Sequence, residues 1–159
     1  MPKSDGQITE IIGRNRLIDQ LLLAGLEVAI PARDHGIDLI AFSDRGQDFY
    51  ARPIQMKAAT AESFSINKKY EKFPGLLLAH IWHVQEPEYE TYVLTYAQAL
   101  HIGNEMHWTS SASWLHGEWY TTTRPGKKLK AKLQPYRATP ELWKSLVESP
   151  QAALRISGR

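Results

Sequence analysis

Cysteine is absent from the 159-residue chain. That excludes disulfides, thiolate zinc sites, iron–sulfur ligation and a cysteine nucleophile. Long apolar runs are missing too: the most apolar stretch, residues 21–30, is interrupted by Glu27 and falls short of the ~20 residues that span a bilayer. The opening Met-Pro-Lys-Ser-Asp-Gly-Gln has no apolar core after its lysine, so it does not read as a secretory signal. The absence of a Gly-x-Gly-x-x-Gly turn and of a Gly-x-x-x-x-Gly-Lys loop argues against a nucleotide cofactor. Ser110, Ser111 and Ser113 lie in no Gly-x-Ser-x-Gly elbow, which removes the serine-hydrolase reading. Internal repeats and low-complexity linkers are lacking as well. The expectation is a soluble, intracellular (cytoplasmic) protein with no membrane contact, folded as a single domain over residues 1–159.

What is present supports a packed core: hydrophobic residues make up 43% of the chain and charged residues 23%, which excludes wholesale disorder. The formal charge is only +2 but it is unevenly spread. Arg124, Lys127, Lys128, Lys130, Lys132 and Arg137 follow one another with no carboxylate among them. Such a segment suits a polyanion, and equally an ordinary solvated face. Trp108, Trp114, Trp119, Tyr120 and Tyr136 surround it. Bases stack on such rings, whereas tryptophans in a small domain also build core or oligomer interface.

Ile8, Ile11, Ile12, Ile18 and Leu22 recur at helical spacing and predict an amphipathic helix over residues 7–24. Ser4 or Asp5 suits its start and Gly25 the position past its end. Gly13 inside it costs ~1 kcal/mol relative to alanine, so a packing reason is expected. Short β-branched and aromatic runs then predict strands at 26–30, 37–42 and 49–58, with Pro53 at an edge or irregular point. A short basic helical turn at 67–73, a buried strand at 76–84 and a partner strand at 89–95 follow. Residues 96–102 suit a short helix stopped by Gly103-Asn104. Residues 108–123 read as loop and strand, and 127–133 alternate basic with apolar like a surface strand. Thr139-Pro140-Glu141 starts a last helix, which Pro150 ends.

The chemistry concentrates in Asp34-His35-Gly36-Ile37-Asp38-Leu39-Ile40 and Ile54-Gln55-Met56-Lys57. Side chains alternate across a strand, so Gln55 and Lys57 share one face and Ile54 and Met56 the other. Pairing the strands with their apolar faces aligned brings Asp38, Gln55 and Lys57 to one patch. Polar groups breaking an apolar strand pattern are where functional sites are expected. The plainer readings are a structural Asp38–Lys57 ion bridge and, for Glu10 on the first helix, an exposed pair with Arg14. His80 and His83 stand three apart, on opposite faces of a strand, which does not suit a shared metal. His35, in the loop before Asp38, is either a helper near the site or an exposed loop residue.

This order — helix glutamate, strand, aspartate after a Gly-Ile element, then Gln-x-Lys in the next strand — resembles the PD-(D/E)XK nuclease superfamily. The likeness is to the Gln-x-Lys variant found in type IV restriction enzymes, some Holliday-junction resolvases and an intron-encoded homing endonuclease. The string Pro31-x-x-Asp34-x-Gly36-Ile37-Asp38-Leu39 with Ile54-Gln55-Met56-Lys57-Ala58 carries it. The resemblance implies an α/β, restriction endonuclease-like core over about residues 5–103. Its central mixed β-sheet of four to five strands would be flanked by helices in αβββαβ order. A C-terminal extension over about 104–159 would carry the basic segment and the terminal helix.

It also implies roles. Asp38 would be the central metal-binding carboxylate, and Glu10 would complete the metal site directly or through water. The backbone carbonyl of Met56 would be a further ligand, and Lys57 would orient the attacking water and contact the scissile phosphate. Gln55 stands where the family more often has Asp or Glu; its neutral amide removes one negative charge and should weaken metal affinity. Magnesium, with manganese as a substitute, is the implied cofactor. The expected function is therefore metal-dependent endonucleolytic hydrolysis of DNA, with DNA as partner and a homodimer or higher homo-oligomer compatible with double-strand cutting. Two other readings stand beside it: a catalytically silent nucleic-acid-binding module of the same fold, and a toxin, immunity or assembly component acting through the tryptophan-rich second half.

Overall fold

The computed structural model describes residues 5–150 and the backbone of residues 153–154. Asp5 caps the first helix, its side chain accepting from the Gln7 N–H at 2.9 Å. Ser4, the alternative cap, and the rest of the opening segment lie outside the described residues. In chain order the elements are α1 (Gly6–Leu23), β1 (Glu27–Ala29), β2 (Leu39–Asp44), β3 (Phe49–Ala58), β4 (Phe64–Asn67), a 3-10 turn (Lys68–Lys72), β5 (Leu77–Trp82) and β6 (Glu90–Thr95). There follow α2 (Tyr96–Glu105), α3 (Ala112–Gly117), β7 (Trp119–Thr122), α4 (Lys127–Leu133), α5 (Pro140–Val147) and β8 (Ala153–Leu154). No helix among the described residues is long and apolar enough to cross a membrane.

The fold is α/β. Five strands form a mixed sheet in the order β1-β2-β3-β5-β6, in which only β3 and β5 run parallel, and β8 adds to the first half of β3. Pro53 falls between the part of β3 that pairs with β8 and the part that pairs with β5, so its missing N–H leaves no ladder bond unmade. β5 is buried along its whole length, as a strand covered on both faces must be. On one face, Leu17 and Leu21 of α1 and Trp143 and Val147 of α5 pack on Leu39, Ile54, Leu77 and Ile81. On the other, Ala99 and Ile102 of α2 and Leu129 and Leu133 of α4 pack with Phe64, Leu78, Trp82 and Leu94. Each fully buried leucine contributes about 1.5–3 kcal/mol. Gln20 joins three elements on the first face: it donates to Thr91 Oγ1 of β6 at 2.9 Å and accepts from Trp143 Nε1 of α5 at 3.1 Å.

Five expectations change. The apolar stripe read on α1 is not its buried side: Ile8, Ile11 and Leu22 are 49, 54 and 51% exposed, and Thr9, Gly13, Leu17 and Leu21 are buried instead, the side on which Gly13 lets the helix approach β3. The αβββαβ order is not found, because the crossover from β3 to the parallel β5 is not a helix. It is β4 and the 3-10 turn. Phe64 and Ile66, two apart, make a strand pattern, and Pro74-Gly75 ends the turn before a helix can grow. β4 instead pairs antiparallel with β7 as a separate two-stranded ribbon. Residues 127–133 are helix and not surface strand: Leu129 and Leu133, four apart, are both buried, a spacing that a strand would place on one face and a helix on one stripe. α2 runs on through Gly103 to Glu105, and the glycine lies against β4: a Cβ there would come within 2.9 Å of Ile66 Cδ1, so a larger residue would require that side chain to shift. Residues 112–117, read as loop and strand, are helical, with the Ser111 hydroxyl capping Trp114 N–H.

Candidate active site

Where β2 begins, the backbone itself builds the site. Asp38 precedes the strand, and its N–H donates to the Ile54 carbonyl at 2.9 Å. Its carboxylate Oδ2 accepts from the Met56 N–H at 2.6 Å. The side chain thus continues the β2–β3 ladder past the last paired residue, and the carboxylate is fixed at the strand end. Asp34 shapes the approach: its Oδ1 accepts from the Gly36 N–H at 2.9 Å, closing a turn in which Gly36 takes a φ of 94° that glycine adopts without strain. On β3, Ile54 and Met56 belong to the cluster under α1. Gln55 and Lys57 therefore face the other way. The Gln55 amide nitrogen donates to the Met56 carbonyl at 3.1 Å.

α1 brings the glutamate. Gly13 lies so close to β3 that a Cβ would come within 2.5 Å of Ala58 Cβ, which answers the packing question raised by its place in a helix. One turn earlier, Glu10 reaches the same end of the sheet. Glu10, Asp38, Gln55, Met56 and Lys57 line one cleft of about 290 Å³, joined by Asp34. Every residue given a catalytic or metal-binding role by the resemblance borders that cleft. Glu10 also makes its i,i+4 ion pair with Arg14 at 2.7 Å, so the plainer expectation for it holds at the same time. The plainer expectation for Lys57 does not: among the described residues no ion pair joins it to Asp38. Lys57 Nζ lies 5.8 Å from the centre of the Tyr70 ring instead.

Burial raises the Asp38 pKa above its ordinary 3.8; the Met56 N–H opposes this, the charges of Asp34 and Glu10 add to it, and Lys57 opposes it again. The cleft is a place where negative charge is under-compensated. Its donors are three carboxylates, each already accepting one hydrogen bond, an amide and a backbone carbonyl. All present hard oxygen atoms, which suits a magnesium ion that keeps several waters beside one or two carboxylates. Among the described residues there is no group of three or more His, Asp or Glu placed to hold a metal by themselves. Any metal here would depend on the neutral oxygens and on water.

Behind the cleft, His80 of β5 stands opposite Lys57 in the parallel ladder. It is 2% exposed, its ring centre lies 4.5 Å from that of Phe64, and its Nε2 has no partner among the described residues. Burial, aided by the Lys57 charge, lowers its pKa to about 3, so it is neutral. His83 lies past the strand at a φ of 53°, 3.7 Å from Glu62. His35 is exposed and borders none of the cleft.

The basic segment is divided. Lys130 pairs with Glu62 at 2.8 Å and Lys132 with Glu105 at 2.7 Å. Arg137 sits 3.9 Å from Glu90 and lines a different hollow with Gln20, Thr91 and Trp143. Arg124, Lys127 and Lys128 are exposed and make no ion pair among the described residues. None of the segment borders the cleft. Of the surrounding aromatics, Trp108 is buried against Phe64 and Tyr120, whereas Trp119 is 46% exposed. Asp34 and His80 are the two residues at the site to which sequence reasoning gave no role. The Asp-x-Gly turn signal pointed to the first; nothing local pointed to the second. Comparison with protein-family models, curated proteins and solved structures finds no match for the chain.

Proposed function

We propose that this chain is a metal-dependent endonuclease hydrolysing DNA phosphodiester bonds, with a core like that of the Gln-x-Lys branch of the PD-(D/E)XK superfamily. One observation carries the reading: α1, the start of β2 and the middle of β3 deliver Glu10, Asp38, Gln55, Met56 and Lys57 to a single cleft. In this reading Asp38 and Glu10, with the Met56 carbonyl, hold magnesium or manganese. When bound, such an ion supplies Lewis-acid polarisation of the phosphate and lowers the pKa of a coordinated water. Asp38 must be ionised to serve, so activity falls as pH drops into the range where its raised pKa protonates it. Gln55 keeps the Met56 carbonyl oriented through its amide hydrogen bond. Lys57, carrying no ion pair to Asp38, offsets the charge that builds on the scissile phosphate. Arg124, Lys127 and Lys128 are the part of the basic segment still available to phosphates. Cutting both strands calls for two clefts, which a homodimer would supply.

The neutral Gln55, and the lack of a three-acid cluster among the described residues, favour one rival, the silent nucleic-acid-binding module. Incubation of supercoiled plasmid with the protein in magnesium, manganese or EDTA separates the two. Nicking in either metal that EDTA abolishes supports the nuclease. Intact plasmid in both metals, alongside DNA binding, replaces it with the silent module.

A further inference from the structure

Lys57, on the border of the cleft, also borders a second hollow. This smaller space, about 110 Å³, is bordered by Lys57, Ser65, Asn67, Lys69, Trp119 and Thr121. Its wall is the outer face of the β4–β7 ribbon. Phe64, Ile66 and Tyr120 of that ribbon turn inward onto the core. The alternation therefore sends Ser65, Asn67, Trp119 and Thr121 outward, and the register sets Asn67 beside Trp119 and Ser65 beside Thr121.

The character of that face is unusual for an exposed ribbon. It carries a large, half-exposed indole, hydroxyl and amide side chains, and lysines along its border. Lys57 and Lys69 both lie over the Tyr70 ring, at 5.8 and 5.0 Å from its centre, and Lys72 lies 5.1 Å from that of Phe73. Lys57 and Lys69 border the hollow with no carboxylate among its lining residues, and the neighbouring Lys68 pairs with Glu118 at 3.2 Å. The Trp119 ring lies over Gly117: its Nε1 and Cδ1 are 2.7 and 2.8 Å from where a Cβ on Gly117 would stand, so a side chain at 117 would displace the indole from this position.

Resting on the nuclease reading of the adjoining cleft, we propose that this face binds an unpaired DNA strand, stacking a base on Trp119 beside the phosphate to be cut. Three features favour an unpaired strand over a duplex. An aromatic platform contacts a base only through its π-face, which is hidden in stacked duplex and open in a single strand. The hydroxyl and amide groups lie where they can meet a base edge. The lysines track the backbone with positive charge, and Lys57 is common to both hollows, so a strand lying on the ribbon leads into the cleft.

Binding of a fluorescein-labelled 15-nucleotide single strand and of the matching duplex, followed by anisotropy in EDTA at fixed salt, tests this without any cleavage. The native protein should hold the single strand more tightly than the duplex. Trp119→Ala should weaken single-strand binding by about 5- to 150-fold, the cost of losing one stacked base, and leave duplex binding nearly unchanged. Trp119→Phe should restore much of the loss, which a merely structural role for the indole would not predict for the single strand alone. Equal losses on both DNAs, or no loss on the single strand, overturn the proposal. If the single-strand preference and its dependence on Trp119 hold while plasmid stays intact in metal, the nuclease reading falls and the binding face remains. If plasmid is nicked while Trp119→Ala binds like the native protein, only this proposal falls.

Discussion

His80 gives the most quantitative test of the packing behind the cleft. A neutral imidazole with no partner for Nε2 among the described residues, sealed between Phe64 and the strand that carries Lys57, resists protonation to about pH 3. In the unfolded chain the same group takes up its proton near 6.5. Above pH 6.5 neither state is protonated, and His80 contributes no pH dependence. Below it the unfolded state binds a proton that the folded state refuses, so stability falls as pH falls, by about 1.4 kcal/mol per unit, until the folded pKa is reached. Between pH 8 and pH 5 the loss is about 2 kcal/mol. That figure is insensitive to the folded value so long as it stays well below 5. Against a total of about 5–15 kcal/mol for a typical domain it is a large fraction. With a urea slope of about 2 kcal/mol per molar it moves the unfolding midpoint by about 1 M. Urea unfolding of the native protein and of His80→Leu at pH 8 and pH 5 isolates this group, because the carboxylates titrate alike in both. The variant, close in volume and apolar, should gain about 2 kcal/mol on the native protein between the two pH values. Parallel pH profiles for the two proteins would refute the buried neutral histidine.

Two further predictions concern the elements around the cleft. Gly13→Ala gains helix propensity but forces a methyl to 2.5 Å from Ala58 Cβ; a net destabilisation of about 1–3 kcal/mol is expected, read by urea unfolding, and Ala58→Gly in the same chain should recover most of it. Lys127→Glu with Lys128→Glu, both at positions outside any ion pair among the described residues, should weaken duplex binding and shallow the log K against log salt slope by about 2; an unchanged slope would make α4 ordinary solvated surface.

The parts of the fold that were legible in the sequence are those where one periodicity dominates. The 49–58 strand and the apolar 76–84 run each have a single reading, and the Thr139-Pro140 start is a local signal that needs no tertiary help; the first helix was legible in extent but not in face, since Ile8, Ile11 and Leu22 of its expected stripe are about half exposed while Leu17 and Leu21 are buried. The failures share a cause. In residues 127–133 two buried leucines four apart satisfy both the strand and the helix pattern, and only packing against the second cluster selects the helix. Gly103 looked like a stop signal, but its value lies in the close approach of Ile66, a residue 37 positions away. Between β3 and β5 the resemblance called for a crossover helix; the short basic turn read at 67–73 is there as the 3-10 turn Lys68–Lys72, and what was left out is the strand of Phe64 and Ile66 before it. At the site, the convergence of Asp38, Gln55 and Lys57 followed from strand alternation alone. What alternation does not reveal is the side-chain bond from Asp38 to the Met56 N–H, the entry of Asp34 into the cleft, or the orphaned nitrogen of His80, all of which depend on how strands end and stack.

The central claim is that Asp38 is part of a phosphodiester-cleaving centre and more than a ladder cap. Replacing it by alanine would remove the bond to Met56 and confuse the two roles, whereas Asp38→Asn keeps an oxygen to accept that N–H and loses only the charge. The measurement is the rate of plasmid nicking in magnesium by the native protein and by Asp38→Asn, with the folding of both verified by urea unfolding. A native protein that nicks and an equally stable variant that is slowed by two or more orders of magnitude is the result this account predicts. A variant that nicks at the native rate would contradict it, and Asp38 would then be a structural residue at the end of a strand.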